Sequence, residues 1–277
     1  MGLEEFAPSQ QIPWVAFGLT LVAGLATGIG SLMALVAKRT NTNFLCTSLG
    51  FSAGVMLYVS FMEILPEAQR ELARHWGERA RMLGMTLAFF GGIALIALID
   101  LLIPAKDNPH ELRGVEDMEG NGNGGGTESL RRSGVLVALS LTLHNFPEGV
   151  AVFASAMRDL SVALPIVIAI AIHNIPEGIA VSVPVFHATD SRRKAFLASF
   201  LSGLAEPLGA VVAYLFLIPF WSPLVNGAVL AVVAGIMVYI SLDELLPTAE
   251  KYGKHHLSIM GLVAGMIVMA LSLLLFI

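Results

Sequence analysis

Two copies of one short motif place metal-binding side chains in apolar surroundings. The sequence HNFPEG at 144–149 returns, with one residue changed, as HNIPEG at 173–178. Each copy offers an imidazole, an amide and a carboxylate, and each lies inside a long apolar run. Ionisable side chains at membrane depth are costly and usually mark an ion or substrate pathway. Imidazole nitrogen beside oxygen ligands suits a divalent transition metal such as zinc or iron.

Helical spacing would bring the ligands of each copy together. His144 and Glu148 are four residues apart, as are His173 and Glu177, so each pair shares one helix face. The asparagine of each copy lies about 60° to the side of its glutamate. Each motif can therefore direct an imidazole nitrogen, a carboxylate and an amide oxygen toward one cavity.

A proline in each motif and a third glutamate strengthen this interpretation. Pro147 and Pro176 lack an N–H, so the carbonyl four residues earlier loses its helical partner and the helix can kink. Such a carbonyl is tolerated in a membrane only where it faces a cavity, water or an ion. Three buried carboxylates, on Glu148, Glu177 and Glu206, would repel one another unless cations or protons neutralised them. A cluster that merely joins helices is the alternative, but two matched sets favour metal coordination.

Five further residues are weaker candidates for a path to and from this site. Glu63 and Glu67 lie toward the outer end of the second apolar segment, and Asp243 and Glu244 toward the inner end of the seventh. Acids at helix ends can also sit among lipid headgroups without binding a metal. Met56 is a candidate soft, transient ligand, although packing is the commoner role of a buried methionine.

The elements that must position these residues are membrane-spanning helices. Of the 277 residues, 56% are hydrophobic and 13% are charged, against roughly 25% charged in soluble domains. We therefore predict an all-α integral membrane protein that forms a single domain over 1–277. A single cysteine excludes a cysteine-rich metal site. Eight segments are long enough to cross the bilayer: 14–37, 45–65, 82–103, 134–157, 162–186, 196–218, 225–247 and 257–277.

The distribution of positive charge predicts the orientation. Of the sixteen Lys and Arg, five fall in loops on the N-terminal side of the membrane and eleven on the opposite side. The positive-inside rule therefore places both termini outside the cytoplasm. The connection 104–133 contains the run NGNGGG and six acids, so we predict a flexible cytoplasmic loop there.

Internal repeats predict how the helices are arranged. The segments 53–68 and 234–249 are identical at nine of sixteen positions, and they belong to the second and seventh helices. A weaker match, Gly-Leu-Ala at 24–26 and 203–205, joins the first helix to the sixth. The pattern predicts helices one to three repeated in inverted sense as six to eight, around an antiparallel pair four and five. Such 3+2+3 inverted repeats, with ligands at the repeat interface, are typical of secondary transporters.

These motifs resemble those of a known family. HNFPEG, HNIPEG and GLAEP at 203–207, with MEILPEA at 62–68 and DELLPTA at 243–249, resemble the ZIP (Zrt/Irt-like) metal transporters and their bacterial ZupT-like branch. The resemblance implies an eight-helix ZIP fold and import of divalent metal across the inner membrane. It also implies two metal positions. One would use His144, Glu148, His173 and Glu177, and the other Asn145, Asn174 and Glu206, with Glu148 and Glu177 bridging.

The resemblance further implies an elevator mechanism. Helices one, four, five and six would slide against helices two, three, seven and eight, often in a homodimer. Some members carry Gln-Asp where this chain has His173-Asn174. The change makes the site richer in nitrogen and favours borderline metals such as Zn²⁺ over Mn²⁺.

We therefore expect a transporter of divalent cations, chiefly zinc, with iron, manganese, cobalt and cadmium as further substrates. No catalytic cofactor and no nucleic acid are expected; the partners are metal ions and the lipid bilayer. An intramembrane metal-dependent hydrolase is the alternative, since a histidine–carboxylate site can activate water. The symmetric ligands and inverted repeats favour transport. A metal sensor or a channel without alternating access is a third interpretation.

Overall fold

The computed structural model shows a helical protein over the residues that it describes. These are 12–36, 42–102, 142, 145–157, 160–189, 191–217, 220, 222–251 and 255–274. Every regular element within these ranges is a helix, as the sequence predicts. The predicted loop 104–133, the predicted ligand His144 and both termini lie outside the described residues.

The helices follow the predicted apolar segments, with ends that extend beyond several of them. Uninterrupted helices are α1 (Ile12–Val36), α3 (Glu78–Leu102), α4 (residues 145–157), α5 (Leu160–Thr189) and α8 (His255–Leu274). Among the described residues, three helices contain an irregular turn. They are α2 (Thr42–Val59, Ser60–Ile64, Leu65–Leu72), α6 (Arg192–Gly203, Ala205–Val212, Ala213–Leu217) and α7 (Pro223–Ile240, Ser241–Leu245, Leu246–Lys251).

Six helical stretches in the described part of the chain are long and apolar enough to cross a membrane. They are Pro13–Leu32, Cys46–Leu72, Glu78–Ile99, Arg192–Phe216, Pro223–Leu245 and His255–Leu274. The apolar stretch of α5, Ala163–Ile179, is shorter, and α4 is described only over 145–157. These stretches support a multi-pass membrane protein, while a total of eight spans stays a prediction.

The repeated segments in α2 and α7 share a structural irregularity. A wide π-helical turn occupies Ser60–Ile64 in α2 and the matched Ser241–Leu245 in α7. In each, the following residue donates its N–H to the carbonyl five residues earlier, on Ser60 or Ser241. The next residue is a proline, Pro66 or Pro247, which has no N–H for the regular helical bond. The wide turn therefore accommodates a proline at the same place in both copies.

Glycines mark where α1 and α6 approach each other. A Cβ atom on Gly24 would collide with the carbonyl oxygen of Gly203, and a Cβ atom on Gly203 would collide with that of Gly24. The two backbones therefore touch at the weakly matched Gly-Leu-Ala segments. Pro207 cannot donate to the Gly203 carbonyl, which leaves this oxygen able to face α1.

The same reciprocity holds where α4 and α5 pack against α6 and α1. Gly149 of α4 lies against the carbonyl of Glu206 in α6, and the matched Gly178 of α5 lies against that of Thr27 in α1. Thr27 therefore occupies the place in α1 that Glu206 occupies in α6. We call α1, α4, α5 and α6 the site group. Glycines of α6 and α1 make the matching contacts in the other direction. Gly209 of α6 lies against the carbonyl of Phe146 in α4, and Gly30 of α1 lies against that of Ile175 in α5.

The remaining helices, α2, α3, α7 and α8, form a second set that we call the flanking group. Helix α2 packs against α8, and the matched α7 packs against α3. Gly54 of α2 meets the carbonyl of Leu262, and the matched Gly235 of α7 meets that of Phe89. The contacts of one half of the chain thus recur between matched helices of the other half.

Neighbouring glycines on α3 provide a test of this packing. Gly92→Ala should destabilise the protein by about 1–3 kcal/mol, because its Cβ would collide with the Val232 carbonyl on α7. Gly91→Ala meets nothing nearby and should be neutral or slightly stabilising. Melting temperatures of the two variants in detergent would compare them. Equal tolerance of both changes would contradict the close approach of α3 to α7.

Candidate metal centre

Three of the predicted ligands converge between α4 and α5. Glu148, His173 and Glu177 are fully buried, and one ligand atom from each lies within 4.8 Å of the others. His173 Nε2 is 3.1 Å from Glu148 Oε1 and 3.9 Å from Glu177 Oε1. Donor atoms around a tetrahedral zinc ion are separated by about 3–4 Å. The cluster therefore already has nearly the spacing that one such cation requires.

The charge of this cluster calls for a cation. Two carboxylates in one buried cluster repel each other, and an unpaired buried charge is strongly disfavoured. A single imidazole can carry at most one compensating positive charge. Glu206, on α6, is a third fully buried carboxylate, and it accepts a hydrogen bond from Asn174. A divalent cation would neutralise more of this charge than a protonated histidine can.

The two motif asparagines are oriented by matched backbone contacts. Asn145 Nδ2 donates to the carbonyl of Ser202 in α6 at 3.2 Å. Asn174 Nδ2 donates to the carbonyl of Ala23 in α1 at 2.9 Å. Only the NH₂ end of an amide can donate, so these bonds determine which way each amide points. The Oδ1 atom of each is thereby left as a possible cation ligand.

Three buried oxygens near these contacts lack a hydrogen-bond partner among the described residues. They are Asn145 Oδ1, Asn174 Oδ1 and Glu206 Oε2. Buried acceptors nearly always find a partner, so such atoms need an explanation. Amide and carboxylate oxygens are cation ligands. These three residues are the ones that the family resemblance assigns to a second metal position, and their chemistry fits that assignment.

The proline of the α5 motif and the proline beside Glu206 in α6 differ in their effect on the helix. Helix α5 continues through Pro176 as one helix, Leu160–Thr189, so the proline does not end it there. Helix α6 is interrupted at Leu204, close to Glu206 and Pro207. The helix is therefore interrupted next to Glu206 in α6, whereas the HNIPEG motif of α5 lies in a continuous helix.

The weaker candidates lie outside the cluster of Glu148, His173 and Glu177. Glu67 is buried and paired with Arg70 Nε at 3.1 Å, while Glu63 is half-buried. Asp243 is exposed and Glu244 half-buried, both in the π-helical turn of α7. Met56 is fully buried in the apolar core, which agrees with a packing role. A role for these five residues in the metal path stays a prediction.

One residue of the site was missed by the sequence analysis. Ser52, on α2, is fully buried, with its Oγ 3.5 Å from Glu177 Oε1 and 3.4 Å from the His173 carbonyl oxygen. It belongs to none of the repeated motifs, and a serine in an apolar helix is too common to mark a site. Only the three-dimensional contact reveals it.

A buried histidine–carboxylate cluster among several membrane-spanning stretches is typical of a membrane protein that conducts metal ions. The ZIP Zinc transporter family model matches residues 105–273 of the chain. Similar proteins that are named Zinc transporter ZupT include those of two bacteria. That of Streptococcus mutans is 57% identical over 264 residues, covering 95% of this chain and 98% of the relative. That of Clostridium perfringens is 56% identical over 274 residues, covering 95% and 96%.

The chain therefore belongs to the ZIP family of membrane transporters. A third relative, the Zinc transporter ZupT of Nitratidesulfovibrio vulgaris, is 55% identical over 95% of this chain and 97% of its own length. Family membership confirms a multi-pass membrane transporter and confirms that the chain is not an enzyme. The hydrolase alternative is thereby set aside.

The amide orientation at Asn174 leads to a prediction for the metal-free protein. Asn174→Asp replaces the NH₂ donor by an acceptor, which would oppose both the Ala23 carbonyl and Glu206. Loss of these bonds should destabilise the chelator-treated protein by about 2 kcal/mol or more, and added Zn²⁺ should restore part of the loss. Melting curves with and without Zn²⁺ would measure it, with the exposed Asn43→Asp as control. An unchanged melting temperature would show that Asn174 does not donate there.

Proposed function

We propose that this protein carries divalent metal cations, zinc foremost, across the inner membrane into the cytoplasm. The observation that carries the proposal is the fully buried cluster of Glu148, His173 and Glu177. Nitrogen and carboxylate oxygen together are the ligand set of zinc sites. The relatives that share more than half of their residues with this chain are named zinc transporters, which supports zinc as the main substrate.

The proposed site holds two metal ions. One is bound by His144, Glu148, His173 and Glu177. The second is bound by Asn145, Asn174 and Glu206, with Glu148 and Glu177 bridging both ions. The partnerless oxygens of Asn145, Asn174 and Glu206 support the second position, because a cation there would satisfy all three.

Other divalent metals enter the same site with lower preference. Iron, cobalt, manganese and cadmium all accept mixed nitrogen and oxygen ligands. The nitrogen of His173 favours Zn²⁺ over Mn²⁺, because manganese prefers oxygen ligands. We therefore expect uptake of Zn²⁺ to exceed that of Mn²⁺ at equal concentrations.

Transport proceeds by movement of the site group against the flanking group, within eight spans arranged as 3+2+3. Two features support the site group moving as one body. Its helices touch backbone to backbone at glycines, and its asparagines are bonded to α1 and α6. The recurrence of contacts between matched helices supports an inverted repeat, the architecture that serves alternating access.

We further propose that both termini lie outside the cytoplasm and that the protein works as a homodimer. The excess of Lys and Arg on the opposite side supports the orientation. The outward faces of α3 and α8 carry large exposed apolar side chains, such as Leu87, Phe90 and Ile267, which can pack on lipid or on a second copy. The charged residues Glu63, Glu67, Asp243 and Glu244 lie along the proposed path.

Removal of a histidine ligand should abolish transport without preventing insertion. His173→Ala, and likewise His144→Ala, should lower Zn²⁺ uptake by at least about tenfold, because loss of even a residue that supports a ligand costs this much. Uptake into vesicles reconstituted with purified protein would measure it, with the exposed His75→Ala as control. Wild-type uptake by His173→Ala would leave the histidine with no more than a structural role.

The two metal positions should respond differently to loss of a carboxylate. Glu148→Ala and Glu177→Ala each remove a ligand from both ions and should stop uptake. Glu206→Gln keeps the size of the side chain and affects one ion, so it should retain partial uptake with a changed ratio of Zn²⁺ to Cd²⁺. The exposed Glu78→Gln serves as control. The two-metal assignment is wrong if Glu206→Gln is inactive while Glu148→Ala still transports.

A further inference from the structure

Ser52 connects the flanking group to the cluster of Glu148, His173 and Glu177. It lies on α2, yet its hydroxyl is near two acceptors on α5, namely the His173 carbonyl at 3.4 Å and Glu177 Oε1 at 3.5 Å. The side chain is fully buried. Helix α2 packs against both α5 and α8, so the hydroxyl is placed where the two helix groups meet.

The chemistry of a serine hydroxyl makes these two acceptors compete. A hydroxyl has one proton, so it can donate fully to only one oxygen at a time, and it rotates to suit. A carboxylate is the stronger acceptor of the two because it is charged. Both distances are at the long end of the hydrogen-bond range. The hydroxyl thus stands between two partners rather than being committed to one.

Metal binding would change the balance between these acceptors. A cation bound to Glu177 withdraws electron density from the carboxylate and weakens it as an acceptor. The carbonyl of His173 remains within reach, so the hydroxyl keeps a partner when the carboxylate is occupied. Switching from one to the other therefore leaves no buried polar group unsatisfied, which would otherwise be costly.

We propose that Ser52 is a positioning residue that competes with the transported metal for the carboxylate of Glu177. The inference rests on the proposed function, because it concerns the same site. In the metal-free protein the hydroxyl is shared between the two acceptors on α5 and favours the charged carboxylate of Glu177. In the loaded protein it bonds to the His173 carbonyl, and the tie to the carboxylate is released.

Thermodynamic linkage makes the effect of the metal and the effect of the Ser52 hydrogen bond reciprocal. If metal binding weakens the bond between Ser52 and Glu177, that bond must weaken metal binding by the same factor. Ser52 thereby lowers the affinity of the site and speeds release of the metal. Loss of a ligand or of simple packing would have the opposite effect or none on affinity, so the direction of the change identifies the role.

The experiment compares Ser52→Ala with the wild-type protein in two measurements. Calorimetric titration of full-length protein in detergent should show about two- to tenfold tighter Zn²⁺ binding, the range expected for one hydrogen bond. In reconstituted vesicles the variant should show a lower KM and a lower Vmax for Zn²⁺, because the bound metal leaves more slowly. The calorimetric titration separates this role from a structural defect, because a defect that only slows transport would not tighten equilibrium binding of Zn²⁺.

Ser258→Ala removes another fully buried hydroxyl, on α8, and should bind and transport Zn²⁺ as the wild-type protein does. Unchanged or weaker binding by Ser52→Ala would overturn the inference, because the hydroxyl would then not compete with the metal. If the wild-type protein neither binds nor transports Zn²⁺, the proposed function fails, and this result is separate from the comparison of variants.

Discussion

Glu148, Glu177 and Glu206 are fully buried among apolar helices, and the cost of keeping three carboxylates there governs the structure around them. Each of these carboxylates needs a polar partner, and a neighbouring helix supplies it. His173 lies beside Glu148, Ser52 approaches Glu177, and Asn174 donates to Glu206. These partners reduce the cost without removing the negative charge. A cation is the group best able to neutralise this charge, and this requirement supports the proposed binding of a divalent metal.

Close packing of the helices makes these contacts possible. Side chains as short as those of asparagine reach a neighbouring helix only if the two backbones are nearly in contact. Glycines at the crossings of α1, α4, α5 and α6 permit this approach, in the manner of small residues at membrane helix interfaces. The carbonyls of Ala23 and Ser202, which orient the two amides, come within reach for that reason. A methyl group at Gly149 or Gly178 would move the ligands as well as the helices.

Most of the fold and part of the site could be predicted from the sequence, for identifiable reasons. The duplicated HNxPEG motif predicts candidate ligands because rare polar residues recur in apolar helices, and the four-residue spacing puts histidine and glutamate on one helix face. The match of segments 53–68 and 234–249 predicts that α2 and α7 correspond, and the structure adds a π-helical turn at the same place in both, before Pro66 and Pro247. Ser52 could not be predicted, because its role depends on which helix faces α5. The extension of α2 to Leu72 was also missed, since hydrophobicity ends before the helix does.

Thr27 of α1 occupies the position that Glu206 occupies in α6, so the two sides of the site are not chemically equivalent. The glycine contacts relate α1 to α6 and α4 to α5, so histidine, asparagine and glutamate of one motif each have a counterpart in the other. The third carboxylate has none, because a threonine stands in its place. A cation at the proposed site would therefore have a carboxylate on the α6 side and a threonine at the matched position of α1. The α6 side of the site therefore carries a negative charge that the α1 side lacks, although the helices on the two sides match.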